Sequence, residues 1–271
     1  MNITFIGGGN MANALIGGLL GRGFKAADLR VVDPDPQARE RLWRQYGLTV
    51  QAAVDAGVLA GDIVLLAVKP QQLRDVAKSL APYLRQQLVI SIAAGVRAAD
   101  LSRWLKYRRI VRAMPNTPAL VQAGISGLYA LPEVGEAERN QAASVLEAVG
   151  EVVWVAREED MDTITAVSGS GPAYVFYFME ALEEAAIRLG LSAQQARQLT
   201  LATFAGAARL AAHGEEDLAT LRARVTSRGG TTERALANLE AAAVRQAIID
   251  AVRAAAARSR ELGDELGRDA G

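Results

Sequence analysis

Residues 3–12 read Ile-Thr-Phe-Ile-Gly-Gly-Gly-Asn-Met-Ala, a short apolar run opening into Gly7-x-Gly9-x-x-Ala12. That spacing suits the pyrophosphate of a dinucleotide. Gly7 permits a tight turn, Gly9 lets the backbone approach the phosphates, and Ala12 lets a following helix press against the strand. With Gly8, Asn10 and Met11 the segment also supplies the N–H groups and partial positive charge of a helix N-terminus, which favour an anion. Asp33 closes a second apolar run, Leu29–Val32, about where an acidic residue accepts from an adenosine ribose hydroxyl. A carboxylate there favours NAD over NADP. The same Asp33-Pro34-Asp35-Pro36 reads equally as a turn that starts the next helix.

Four further segments carry chemistry. Ala67, Val68, Lys69 and Pro70 end a long apolar run. Ligands of open α/β sheets bind outside the carboxyl ends of strands, so Lys69 faces either a cofactor or solvent. In Met114-Pro115-Asn116-Thr117-Pro118, two prolines stiffen a loop on which Asn116 and Thr117 offer hydrogen bonds. That suits an amide such as nicotinamide, or an ordinary proline-rich turn. Ser168-Gly169-Ser170-Gly171-Pro172 opens a helix and either binds an anion or caps it. Val225-Thr226-Ser227-Arg228-Gly229-Gly230-Thr231-Thr232 is a second glycine turn before a helix. Its N–H groups make a seat for a carboxylate or phosphate, with threonine as N-cap the plainer alternative.

Absences narrow the chemistry. The four lysines are Lys25, Lys69, Lys78 and Lys106, so none beyond residue 106 can serve as acid, base or Schiff-base partner. The one histidine, His213, falls at an expected helix end, where it reads as a surface or cap residue. There is no cysteine, which excludes disulfides, thiolate metal sites and a cysteine nucleophile. A metal site is not expected.

These groups need elements to place them. Strand patterns at Ile3–Ile6, Leu29–Val32, 62–68, 88–92, 110–113, Gly124–Ala130 and 152–155 alternate with helical patterns at 10–20, 37–46, 72–84 and 137–149. Alternation of this kind predicts an N-terminal Rossmann-type, doubly wound α/β sheet over residues 1–160. From Met161 no strand is expected. Helices are predicted at 172–189, from the Ser192/Gln195 capping box to about His213, at 217–225, and from Thr232 to about Leu266 with a break near 239–241. Residues 161–271 thus form an all-α domain.

Composition agrees. At ~150 residues per domain, 271 residues suggest about two. Thirty basic and thirty acidic side chains give zero formal charge, so neither nucleic acid nor an anionic membrane is an expected partner. Apolar runs such as Ile63–Val68 fall far short of the ~20 residues a spanning helix needs. Met1 leads straight into a strand-like run with no leader pattern, which points to a cytoplasmic protein.

Taken together, Gly-Gly-Gly-Asn-Met-Ala at 7–12, Val-Lys-Pro-Gln at 68–71, Met-Pro-Asn-Thr-Pro at 114–118, Ser-Gly-Ser-Gly-Pro-Ala-Tyr at 168–174 and Val-Thr-Ser-x-Gly-Gly-Thr-Thr at 225–232 resemble, in order, the motifs of the pyrroline-5-carboxylate reductase family. The resemblance implies reduction of a cyclic imino acid, 1-pyrroline-5-carboxylate, to L-proline with NADPH or NADH, the last step of proline biosynthesis. It implies a homodimer interlocked through the helical dimerisation domain, with further assembly as a pentamer of dimers. It places the dinucleotide on residues 7–12 and 67–70, and Met114, Asn116 and Thr117 on the nicotinamide side. Gly229, Gly230, Thr231 and Thr232 would seat the substrate carboxylate, with the Thr232 hydroxyl as the catalytic group near the ring nitrogen and Glu215 close by. One chain's nucleotide domain would meet its partner's helices. Three positions depart from the family pattern: Arg228 stands where proline is usual, and Leu218 and Val54 replace the frequent proline and asparagine. Two other readings remain: a β-hydroxyacid dehydrogenase-like enzyme, against which the missing C-terminal lysine counts, and a non-enzymatic dinucleotide-binding regulator.

Overall fold

In the computed structural model, which describes residues 1–55, 57 and 61–268, short apolar runs build one eight-stranded sheet. Its strands are β1 (Ile3–Ile6), β2 (Leu29–Val32), β3 (Thr49–Gln51), β4 (Ile63–Leu66), β5 (Leu88–Ser91), β6 (Ile110–Met114), β7 (Gly124–Ala130) and β8 (Gly150–Trp154). The order is β3-β2-β1-β4-β5-β6-β7-β8, with every pair parallel except β6–β7. The exception follows from chain length. The β6–β7 connection covers residues 115–123, too short for the dozen or more residues that a parallel crossover needs.

Helices α1 (Asn10–Gly21), α2 (Pro36–Tyr46) and α5 (Glu136–Glu147) cover one face, and α3 (Pro70–Leu80) and α4 (Ala98–Leu105) the other. β4 shows why its strand is apolar throughout. Ile63 and Leu65 join the cluster that holds Leu15, Leu42 and Leu146, while Val64 and Leu66 join the one that holds Leu73 and Leu101. A strand covered on both faces has no polar side. Burying each of these side chains contributes roughly 1.5–3 kcal/mol.

Local chemistry sets the helix starts that matter. Asp35 caps α2, accepting from Gln37 N–H at 3.0 Å, with Pro36 in the first turn. Pro70 begins α3, directly after Lys69. The helix expected over 72–84 therefore starts two residues earlier, and it ends at Leu80 before a 3-10 turn at 81–83.

Compactness divides the chain between Ser170 and Gly171 and again before Ala255. The first unit keeps α6 (Asp160–Ile164) and the π-helical turn Thr165–Gly169, because Met161 and Ala166 are fully buried in it. It also holds the end of α11 (Val244–Gly267): Arg97 pairs with Asp264 at 2.5 Å, and Ser259 Oγ donates to Asp162 Oδ1 at 2.7 Å.

The second unit is helical: α7 (Gly171–Arg188), α8 (Ala193–His213), α9 (Leu218–Arg224), α10 (Thr231–Ala241) and the first part of α11. Ser192 and Gln195 form the expected capping box at the head of α8. The break expected near 239–241 falls at Ala242–Ala243, where Ala243 adopts φ 51°. Alanine gives no stop signal that a sequence pattern could use. Only Ala196 and Thr200 are buried in this unit. Among the described residues no helix is long and apolar enough to cross a membrane.

Candidate functional site

One candidate site lies where the strand order turns, between β1 and β4. The chain leaves β1 at Ile6, and Gly7 takes φ 100° while its N–H donates to Val32 O at 2.8 Å. A Cβ at Gly7 would sit 2.7 Å from Ala67 O, so only glycine fits. Gly9 is the N-cap of α1, and a Cβ there would meet nothing within 4 Å. That open side belongs to a cavity of about 880 Å³ lined by Gly7, Gly9, Asp33, Ala67, Val68 and Lys69, among others. The volume lies within the ~300–1,000 Å³ range of small-molecule sites. Gly8, Asn10, Met11 and Ala12 carry the loop into α1, and Ala12 is buried against the sheet. A helix N-terminus facing open space beside Gly9 is what a bridging pyrophosphate needs, so these residues fit a dinucleotide.

Asp33 lines the cavity and also builds the turn that its sequence position allows. Its Oδ1 accepts from Asp35 N–H at 2.8 Å and its Oδ2 from Gly8 N–H at 2.7 Å. Sequence reasoning did not anticipate the second contact, because nothing in the residue types links position 33 to position 8.

Met114, Asn116 and Thr117 do not line this cavity. The Asn116 amide is engaged internally: Oδ1 accepts from Ile125 N–H at 3.0 Å, and Nδ2 donates to Ser168 Oγ at 3.2 Å. It pins the 115–123 connection to β7 and to the π-helical turn. Below it, buried Arg112 pairs with Glu158 at 3.0 Å, and the same carboxylate accepts Ala98 N–H at 2.6 Å. One carboxylate thus satisfies both a buried cation and the head of α4.

The glycine turn at 225–232 lies in the second unit. Thr226 Oγ1 donates to Arg222 O at 2.6 Å and closes α9. Gly229 takes φ 72°, and its N–H donates to Glu233 Oε2 at 2.7 Å. Gly230 N–H donates to Ser227 O at 3.1 Å. Those two N–H groups are therefore engaged, one by the first turn of α10 and one within the glycine turn, which leaves Thr231 and Thr232 to head α10 with the N–H groups that no helix pairs internally. Beside them is a cavity of about 560 Å³ lined by Gly229, Gly230, Thr231, Arg234, Ala235 and Asn238. Thr232 is half-buried and Arg228 exposed. Glu215 is exposed in the α8–α9 connection, next to Glu216, which pairs with Arg224 at the end of α9.

A doubly wound sheet with this glycine loop at its switch point defines a dinucleotide-binding protein of the oxidoreductase type. Comparison with known proteins narrows the class. Residues 2–95 match the family model described as NADP oxidoreductase, coenzyme F420-dependent, and residues 158–262 match the one described as pyrroline-5-carboxylate reductase dimerisation. A pyrroline-5-carboxylate reductase of Pseudomonas aeruginosa is 46% identical over 268 residues, covering 98% of either chain. The structure of one from Coxiella burnetii aligns with TM-score 0.91 at 44% identity, over 96% of this chain and 98% of that one. A Plasmodium falciparum pyrroline carboxylate reductase structure with NADP bound aligns with TM-score 0.85 at 29% identity, over 97% and 98%. The chain belongs to the pyrroline-5-carboxylate reductase family.

Proposed function

We propose that this protein reduces 1-pyrroline-5-carboxylate to L-proline with NAD(P)H, the closing step of proline biosynthesis. The observation that carries the reading is the whole-length likeness to the Pseudomonas aeruginosa reductase, which spans both motif-bearing units.

Residues 1–160 serve the dinucleotide and residues 161–271 the substrate and the dimer. When bound, the reduced nicotinamide would supply a hydride to the carbon of an imine whose nitrogen already carries a proton taken from solvent, and no further proton is needed to give the amine. The chain's own residues bind and orient. Gly7 turns the loop, and the N–H groups of Gly9, Asn10 and Met11 face the pyrophosphate. Ala67, Val68, Lys69 and Pro70 border it, with Met114, Asn116 and Thr117 holding the nicotinamide side. In the helical unit the Thr231 and Thr232 N–H groups take the substrate carboxylate. The Thr232 hydroxyl meets the ring nitrogen, with Glu215, Gly229 and Gly230 shaping that seat. A protonated imine accepts hydride without a strong side-chain acid, which suits a helical unit that has no lysine. Holding two molecules in register can supply roughly 7–11 kcal/mol of the barrier.

Asp33 and Asp35 line the adenosine end of the cleft and oppose a 2′-phosphate, which favours useful turnover with NADH. The assembly is a homodimer, extended to a pentamer of dimers. The test is cofactor oxidation by purified protein with 1-pyrroline-5-carboxylate and either NADH or NADPH. Turnover with at least one is expected, and a folded sample inert with both would falsify the reading.

A further inference from the structure

We infer that Arg41, a residue outside the lining of the cleft, is a positioning residue for the dinucleotide. It acts with Asp33 by clamping the glycine loop at Gly8. The inference rests on the reading of that cleft as a dinucleotide site.

Three consecutive glycines form the most pliable backbone a chain can offer. Left free, such a loop would have to be ordered each time a cofactor binds, and that ordering weakens affinity. Here both peptides that flank Gly8 are held by charged side chains. Gly8 N–H donates to Asp33 Oδ2 at 2.7 Å, and Arg41 Nη2 donates to Gly8 O at 2.9 Å. Bonds to ionised groups are stronger than neutral ones. The two anchors are themselves tied together. Arg39 Nη1 donates to Asp33 O at 2.9 Å and to Pro34 O at 2.7 Å, so α2 holds the turn that carries Asp33. Leu42 lies on the same helix, and a Cβ at Gly8 would come within 2.7 Å of its Cδ1. The loop is therefore pressed onto α2 at the one residue whose N–H and C=O are both clamped.

The clamp has a directional consequence. A trans peptide points its N–H opposite to its C=O. Drawing Gly8 O towards Arg41 turns the N–H of Gly9 away from α2, and Gly9 lines the cleft whereas Arg41 does not. Asp33 meanwhile takes the N–H of Gly8. Arg41 therefore aims the first phosphate-facing donor without touching the ligand.

The test is Arg41→Met, which keeps the stem and removes the donor. Dissociation constants of NADH and NADPH, measured by calorimetry without substrate, should rise together by about three- to tenfold. The melting temperature should stay near that of the parent. In turnover the KM for cofactor should rise by a similar factor, with a smaller change in kcat at saturating cofactor. Unchanged dissociation constants would overturn the inference. So would a loss confined to NADPH, because that would make Arg41 a ligand of the 2′-phosphate. A purely structural role would lower the melting temperature and leave the dissociation constants alone. A parent protein that binds neither dinucleotide would sink the reading of the cleft, and the clamp with it.

Discussion

Thr232 sits at the head of α10, half-buried, with its hydroxyl and its N–H on the same turn. Thr232→Val keeps the shape and removes the hydroxyl. Losing one hydrogen bond to a charged or developing-charge group costs about 1.5–3 kcal/mol, so kcat/KM for the imine should fall roughly ten- to a hundredfold. Steady-state kinetics would show it, and a near-parental value would remove Thr232 from the chemistry. Asp33 gives a different signature. Asp33→Ser removes a charge from the cleft lining and also releases Gly8 N–H. Affinity for both cofactors should weaken, while the NADH/NADPH ratio of kcat/KM shifts towards NADPH by about tenfold, roughly 1.4 kcal/mol. If the ratio stays put, Asp33 serves the loop alone. Much of the cleft's lining was legible at this scale, because Gly7, Gly9, Asp33 and Lys69 are set beside one another by spacing and by position at the strand ends. Arg41 was not, because its partner is a backbone carbonyl far away in sequence, and no residue-type pattern records such a contact. The engagement of Gly229 N–H by Glu233 and of Gly230 N–H by Ser227 O was equally hidden, since a glycine run shows that donors exist and not which acceptors already hold them.

Among the elements, the strands with both faces covered were the easiest to read. β4 is apolar throughout, and β7 falls at the predicted residues. β3 went unread because it is three residues long, partly exposed and at the sheet edge, so Thr49–Gln51 shows no core-facing alternation. α4 has eight residues and lacks a side-chain cap of its own. The bond at its head comes from Glu158, sixty residues away, which no local start signal reveals. α9 does carry a local signal. Asp217 caps it by accepting Thr220 N–H at 2.7 Å, and that bond holds the carboxyl below its ordinary 3.8. A folded-state pKa below the unfolded one gives a contribution that is complete above pH 3.8 and is lost as pH falls through the lower, folded value. The group is exposed, so the contribution is small. Asp217→Asn keeps an acceptor for the cap and removes the titration. Its melting temperature should fall less steeply than the parent's on acidification below pH 3.8. Parallel acid limbs for the two proteins would mean that the cap carries no pH dependence.

At the scale of the molecule the two units differ in what they bury. The first has a core on both sides of its sheet, while residues 171–254 bury only Ala196 and Thr200. Phe176 is 63% exposed and Tyr177 72% on α7, and Leu199 is 56% exposed on α8, helices whose apolar side chains recur too densely for a solvated surface. A helical unit this poor in core buries little apolar surface by its own packing, and large apolar side chains left exposed in such number point to an association surface. A second copy of the chain is the occupant that the dimerisation family model over residues 158–262 supports. The first unit should fold around its own core whatever the second unit meets, so the two functions can be separated. Phe176→Glu combined with Leu199→Glu places two charges on that surface. Buried at an interface without partners, each carboxylate would be costly enough to break association. The double variant should sediment as a monomer, bind NADH with close to parental affinity by calorimetry, and lose turnover with the imine. The parent should sediment as a dimer or a larger multiple of two at assay concentration. A parent that is monomeric and active would show that each chain completes its own site. A double variant that stays dimeric would place the contact on other helices. A monomeric variant with parental turnover would mean that dimerisation is structural only, and that the imine seat at Thr231 and Thr232 works within a single chain.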